Sequence, residues 1–507
     1  MQFNSLQFLI FFPIAVLGYF VLPQKLKNTW LLVLSYYFYM CWNAVYALLI
    51  FFSTLSTWVC ANFVSRKNAS PAVRKTALGV NVFVNLAILF SFKYYGMFAT
   101  LLQDIAALVG VRFTLPTLSL LLPVGISFYT FQALGYSIDV YRGTVQHERN
   151  FLNYALFVSF FPQLVAGPIE RSANLLPQFQ TVKTFRYDNY STGMRLMLLG
   201  FFKKVVIADN LSVAMDRYYD NLEIWPGPLL VLGVVMFAIQ VYCDFSAYSD
   251  IARGAAKVLG FELMQNFDHP YFSRSIAEFW RRWHISLGTW FRDYLFYPVL
   301  RGKLCTRLTR KLTKARKIKL ARVLPVMIAQ IVVWTTTGLW HGAAWTYVAW
   351  GVLHGIYQIV ENILMVYRKK GKPAFLSGYP RLQSVWQIGG TFFLVCIGYV
   401  FFRSESFGQA WYIISHSIRG WGVLLSPVGF WNATVSLLGS VRVLLISLFS
   451  TLALMVLELL EMRTEQPFSV LVGRLSAPKR WFVYYTMLFT IVLFGCFEAS
   501  AFIYFQF

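Results

Sequence analysis

Two short stretches place ionisable side chains in strongly apolar surroundings. The first, Gly338-Leu-Trp-His-Gly-Ala-Ala-Trp345, sets His341 among tryptophans and small residues. Neutral imidazole is the side chain best poised to take a proton near pH 7, and the small neighbours leave room for another backbone or a ligand. On the residues alone two readings stay open: a catalytic base, or a histidine that hydrogen-bonds one helix to another. The second stretch is Trp280-Arg-Arg-Trp-His284. It lies in a segment, Tyr242 to Val299, that packs Asp244, Asp250, Arg253, Lys257, Asp268, His269, Glu278, Arg281, Arg282, His284, Arg292 and Asp293 into an aromatic background. Such groups cannot face lipid unpaired; they line a cavity, pair with each other or sit at an interface. Broken or re-entrant helices are expected there, because irregular backbone is tolerated only where protein or water surrounds it. The competing reading is a solvated amphipathic segment.

Asp244 and Asp250 are expected to pair with Arg253 or Arg282. Arg281 and Arg282 suit bidentate contacts to phosphate, or simply reach toward lipid headgroups. Trp280, Trp283 and Trp340 flank the same candidate site. His354 follows His341 by 13 positions, more than about 200° around an ideal helix, so it is expected to point away and to be structural. The cysteines at 41, 60, 243, 305, 396 and 496 are scattered; none has metal or redox spacing, and no metal site is expected.

These residues must be held by membrane elements. Of the 507 residues 58% are hydrophobic and only 13% charged, against about 25% charged in ordinary soluble chains. Apolar runs at Leu6 to Leu22, Ala44 to Val64, Val323 to Leu339, Val441 to Leu460 and Trp481 to Tyr504 match the roughly 20 residues that cross a bilayer core. The run from Leu6 lacks a basic leader and a cleavage site, so it is expected to stay as a span. A net charge of +24 would suggest nucleic acid in a soluble protein. Here the cations fall in short loops, where topology and anionic headgroups account for them without nucleic acid.

Lys25 and Lys27 place the first loop in the cytoplasm and the N-terminus outside. Arg66, Lys67, Arg74 and Lys75 mark the next inside loop, reached through a hairpin that turns near Asn43. The stretch Arg301 to Arg322 is the strongest inside marker. It is either a docking surface for an acidic partner or a lipid-facing topogenic segment. A further marker is Arg368, Lys369, Lys370 and Lys372. Between these two markers runs a hairpin, and His341 falls near its turn. Arg463, Arg474, Lys479 and Arg480 lie inside, which puts the C-terminus outside. The count is roughly 11 to 13 membrane elements in one integrated domain over 1–507: N-terminal helices 1–119, a core at about 120–365 and C-terminal helices 366–507.

At FPQLVAGPIER (Phe161 to Arg171), DFSAYSDIARG (Asp244 to Gly254), NFDHPYFSRSIAEFWRRWHISLGTWFRDYL (Asn266 to Leu295) and LWHGAAWTYVAWGVLHG (Leu339 to Gly355), the chain resembles the membrane-bound O-acyltransferase family. Within it the likeness is to the bacterial branch that O-acetylates exopolysaccharides such as alginate. The resemblance implies an all-α polytopic fold of about 11 transmembrane helices with re-entrant or interfacial elements around a central tunnel. It implies functional histidines at His341 and His284, and transfer of an acyl group to a hydroxyl from a cytoplasmic thioester, acetyl-CoA or another, with no bound cofactor. The acceptor would be an extracytoplasmic polysaccharide, reached directly or through an outer-face SGNH-type acetyltransferase, and the location a bacterial inner membrane. D-alanyl transfer from a carrier protein to teichoic acid, lipid or protein acylation, and a transporter without chemistry are the alternatives. Tyr297-Pro-Val-Leu-Arg-Gly-Lys303 departs from the alginate-type pattern of proline followed by a glycine-rich turn, which bears on the donor-docking surface.

Overall fold

The computed structural model describes residues 1–66, 68–116, 121–367, 378–497 and 502–503. The expected inside markers Lys67, Arg368, Lys369, Lys370 and Lys372, and the expected span end Tyr504, lie outside the described residues. Among those described the chain is helical, with one isolated antiparallel bridge between Phe267 and Trp283. Among the described residues six helices are long and apolar enough to cross a membrane: Ala47–Ser65, Pro71–Lys93, Gly227–Val258, Ile318–His341, Pro380–Arg403 and Val441–Thr464. The expected hairpin near Asn43 is present between Gln24–Met40 and Ala47–Ser65. The first apolar run forms a shorter helix, Leu6–Val21, whose Ser5 hydroxyl caps it by accepting from the Phe8 N–H.

The last expected span is corrected. Its helix is Ala477–Phe494, and the chain then leaves helical geometry at Gly495. Two contacts fix that exit: the Cys496 N–H donates to the Val205 carbonyl at 2.8 Å, and the Asn210 amide donates to the Phe494 carbonyl at 3.0 Å. Hydropathy alone could not see this, because Phe502 and Ile503 stay apolar while being buried in protein.

The chain divides into two compact units. The first comprises Met1–Asn210, Val241–Gln265 and Ile446–Phe507. Its interior holds Lys204, 1% exposed, at 2.7 Å from Asp244 and 2.8 Å from Asp209. Lys203 closes on Asp250 at 2.8 Å. Both lysines lie on a π-helical turn, Phe202–Ala208, a form with one extra residue per hydrogen-bonded ring that is frequent where side chains must be redirected. The Tyr242 hydroxyl donates to the Glu458 carboxylate.

The second unit, Leu211–Gln240 and Asn266–Leu445, carries the histidine hairpin. Helices Ile318–His341 and Trp345–Tyr367 touch backbone to backbone. A Cβ at Gly338 would lie 2.4 Å from the Tyr347 carbonyl oxygen, and one at Gly351 would lie 2.3 Å from that of Trp334. The small residues of the motif thus make room for the returning helix, the usual logic of close membrane helix pairs.

Candidate active site

His341 is the last residue of its helix, and Gly342 beyond it is extended. A helix of 24 residues rises about 36 Å, so the histidine is delivered to the end opposite the basic segment. Its ring is buried, 3% exposed, and packs edge-on against Trp340 at 4.9 Å and Trp350 at 4.8 Å, with Phe402 at 5.3 Å. Apolar aromatic walls exclude water and strengthen any electrostatic interaction inside them.

His284 also packs against Trp340, the two rings lying 5.8 Å apart, so both candidate histidines contact one indole. His284 sits between helices Ile276–Arg282 and Ile285–Phe291 and is left-handed, φ 45° and ψ 52°, a conformation disfavoured for most L-residues. Asn266 holds it there. The Asn266 side-chain oxygen is 3.1 Å from His284 Nδ1 and accepts from the Ser286 N–H at 3.2 Å and hydroxyl at 2.9 Å. Its carbonyl accepts from the Ile285 N–H at 3.0 Å.

The helix before His284 has its own supports. Ser275 Oγ accepts from the Glu278 N–H, and the Glu278 carboxylate accepts from the Arg274 N–H, a variant of the capping box. The Glu361 carboxylate, from Trp345–Tyr367, accepts from the N–H groups of Ile276 at 2.7 Å and Ala277 at 3.0 Å. A carboxylate is well placed at this positive helix end.

The remaining motif residues separate. Arg282 pairs with Glu278 at 2.7 Å. Trp283 is buried among Phe267, Tyr271 and Phe279. Trp280 and Arg281 instead border a cleft of about 480 Å³ that also meets Gly288, Arg292, Gln330, Trp334, Thr337 and Gln358. Neither His341 nor His284 is on that lining; Trp280 and Trp334 stand at its wall.

His354 corrects its expected direction. It shares Trp350 with His341, at 5.1 Å, because the chain breaks at Gly342–Ala344 and the two histidines are not on one continuous helix. The Trp280 indole N–H donates to His354 Nδ1 at 3.2 Å. Sequence spacing missed this link, although Trp280 was itself a candidate. Asp244 and Asp250 lie in the first unit. Asp250 keeps its expected partner Arg253, at 4.0 Å, and adds the closer Lys203; for Asp244 the expected arginine is corrected to Lys204. The consecutive cations of Phe202-Lys-Lys-Val205 were the signal available. Among the described residues no group of His, Cys, Asp and Glu is arranged to hold a metal.

Residues 145–313 match MBOAT, the membrane-bound O-acyltransferase family. A probable alginate O-acetylase AlgI of Pseudomonas aeruginosa is 36% identical over 412 residues, covering 81% of this chain and 74% of that relative. The chain belongs to the membrane-bound O-acyltransferase family. It is therefore a multi-pass membrane enzyme that transfers acyl groups to hydroxyls. A second relative, the peptidoglycan O-acetyltransferase of Helicobacter pylori, is 31% identical over 455 residues, 83% of this chain and 81% of the relative. The teichoic acid D-alanyltransferase of Bacillus subtilis is 28% identical over 292 residues, 56% and 69%. The MBOAT match at 145–313 contains His284 and its capped helix; His341 lies beyond it.

Proposed function

We propose that this enzyme moves an acetyl group from a cytoplasmic thioester, acetyl-CoA or a related donor, to hydroxyls of a cell-envelope polysaccharide. The observation that carries this reading is that His341 and His284 both pack edge-on against Trp340, at 4.9 and 5.8 Å. Alginate and peptidoglycan are the polymers named for the two relatives that span most of this chain, and both are polysaccharides. The D-alanyl reading is second, since the Bacillus relative matches only 56% of the chain.

In the proposed step His341 takes the proton of the acceptor hydroxyl as its oxygen attacks the thioester carbonyl. The C–S bond then breaks, and the proton passes to the leaving thiolate, giving ester and thiol. A positioned base of this kind contributes about 10²- to 10⁴-fold. His284 polarises or positions the donor carbonyl. The cleft beside Trp280 is the donor's approach, with Arg281 exposed at its border to meet phosphate; Arg282, tied to Glu278, is left a structural role. Asp244 and Asp250 serve as counter-ions rather than reactants. The fold is read as one integrated bundle of about 11 spans around a tunnel, in a bacterial inner membrane with both termini outside. Transfer to a secreted polymer goes directly or through an SGNH-type partner at the outer face.

The test supplies purified protein with radiolabelled acetyl-CoA, with and without candidate glycans. Label in a glycan, lost at least 100-fold in His341→Ala at equal membrane abundance, is the expected result. Near-normal transfer by the variant removes His341 as base, and label that only crosses a sealed vesicle makes the protein a transporter.

A further inference from the structure

The expected basic segment is a helix, Lys303–Lys314, followed by a turn of three residues and then by the histidine helix from Ile318. At about 100° per residue, Lys303, Arg307, Arg310, Lys311 and Lys314 fall within one arc of about 100°, and all five are exposed. Cys305, on the opposite face, is fully buried and lies 3.8 Å from the Pro325 carbonyl oxygen. The chain carries no acid between Asp293 and Glu361.

The turn is tight. The Lys317 N–H donates to the Leu312 carbonyl at 2.9 Å, and Arg316 takes the left-handed conformation, φ 58°, that ends a helix in this way. The basic helix therefore folds back beside the first turns of a membrane-spanning helix. Apolar side chains are exposed on both segments: Leu304 68%, Ile318 47% and Leu320 40%. Leu304 borders the basic arc, about 20° from Lys311 by helical geometry. A face that carries cations over exposed leucine and isoleucine at the foot of a span fits a surface with phosphates above hydrocarbon. An acidic protein would match the cations and leave the apolar border unexplained.

We infer that the exposed face of helix Lys303–Lys314 is a binding site for anionic phospholipid headgroups of the leaflet in which helix Ile318–His341 begins. The ligand class is the acidic phosphodiester lipid, with Arg307, Arg310, Lys311 and Lys314 as the contacting side chains and Leu304 seated at the acyl boundary. Through Cys305 and the turn, the bound leaflet steadies the end of the helix that bears His341 at its other end.

The test incorporates the full-length protein in nanodiscs of phosphatidylcholine with about one-third phosphatidylglycerol and counts retained lipids by native mass spectrometry. Retained phosphatidylglycerol is expected to exceed its bulk share several-fold, and the enrichment is expected to fall to the bulk ratio in Arg307→Gln/Arg310→Gln/Lys311→Gln/Lys314→Gln. Melting in pure phosphatidylcholine discs should be the same for both proteins, which shows that the variant folds. A control, Arg474→Gln/Lys479→Gln/Arg480→Gln, should keep the enrichment. Equal enrichment in wild type and the quadruple variant overturns the proposal. So does capture of a purified acidic acyl-carrier protein that depends on the four cations while lipid enrichment does not. None of these readouts needs acyl transfer, so failure of the proposed reaction leaves them interpretable.

Discussion

On the proposed donor approach, His354 acts as a positioning residue through Trp280. Its Nδ1 accepts the indole N–H, and the indole stands at the cleft wall. His354→Leu removes the acceptor and lets the wall rotate, so the KM for the acyl thioester should rise about tenfold with a smaller change in kcat. His354→Asn presents an oxygen near the Nδ1 position and should recover most of that loss. A Leu variant with wild-type KM, measured by initial rates at equal abundance, would refute the link. At this scale the sequence was partly legible: the types and spacing in Trp280-Arg-Arg-Trp-His284 and Trp340-His-Gly342 marked residues that the structure brings together around Trp340. What could not be read was how the motif divides. Its four side chains before the histidine go to a cleft, an ion pair and an aromatic cluster according to how helix Ile276–Arg282 is packed.

At the scale of elements the site depends on two contacts between segments distant in sequence. Gly338→Ala would drive a methyl against the Tyr347 carbonyl oxygen and separate the hairpin helices. A cost of about 1–3 kcal/mol is expected, read as a lower melting temperature in detergent; unchanged melting would mean the hairpin yields freely. Glu361→Ala leaves the Ile276 and Ala277 N–H groups without their carboxylate and should cost about 1–2 kcal/mol. Glu361→Gln, which keeps an acceptor oxygen, should cost less. Hydropathy located the hairpin and its turn correctly, because both are set by runs of apolar residues between cations. It could not find the Glu361 cap, which joins residues 85 apart, nor the exit at Gly495, where apolar side chains meet protein instead of lipid.

For the whole molecule, membrane residence requires that buried charges balance. Lys204 lies between Asp244 and Asp209, and the Ile503 N–H also donates to Asp244 at 2.7 Å. Lys204→Met strands carboxylates in the interior, at a cost of about 3–5 kcal/mol. Fluorescence-detected size exclusion should show loss of the monodisperse peak. Lys203→Met should be milder, since Arg253 still approaches Asp250. A wild-type profile for Lys204→Met would mean the acids are protonated and need no cation. Family and fold class were legible from long motifs and composition, whereas this cluster was not, because Lys204 and Asp244 lie 40 residues apart and Lys203 and Asp250 47 apart, and they meet only after packing.

The left-handed backbone at His284 restricts which amino acids can ever occupy that position. Residues with short polar side chains, asparagine and aspartate above all, tolerate that geometry, and β-branched ones do not. The site's permitted alphabet is thus filtered by conformation before any catalytic demand is applied, and what survives is polar, or glycine. His284→Asn should accumulate normally whatever its turnover, and His284→Val should accumulate poorly; comparable membrane levels of the two would show that the backbone imposes no such filter.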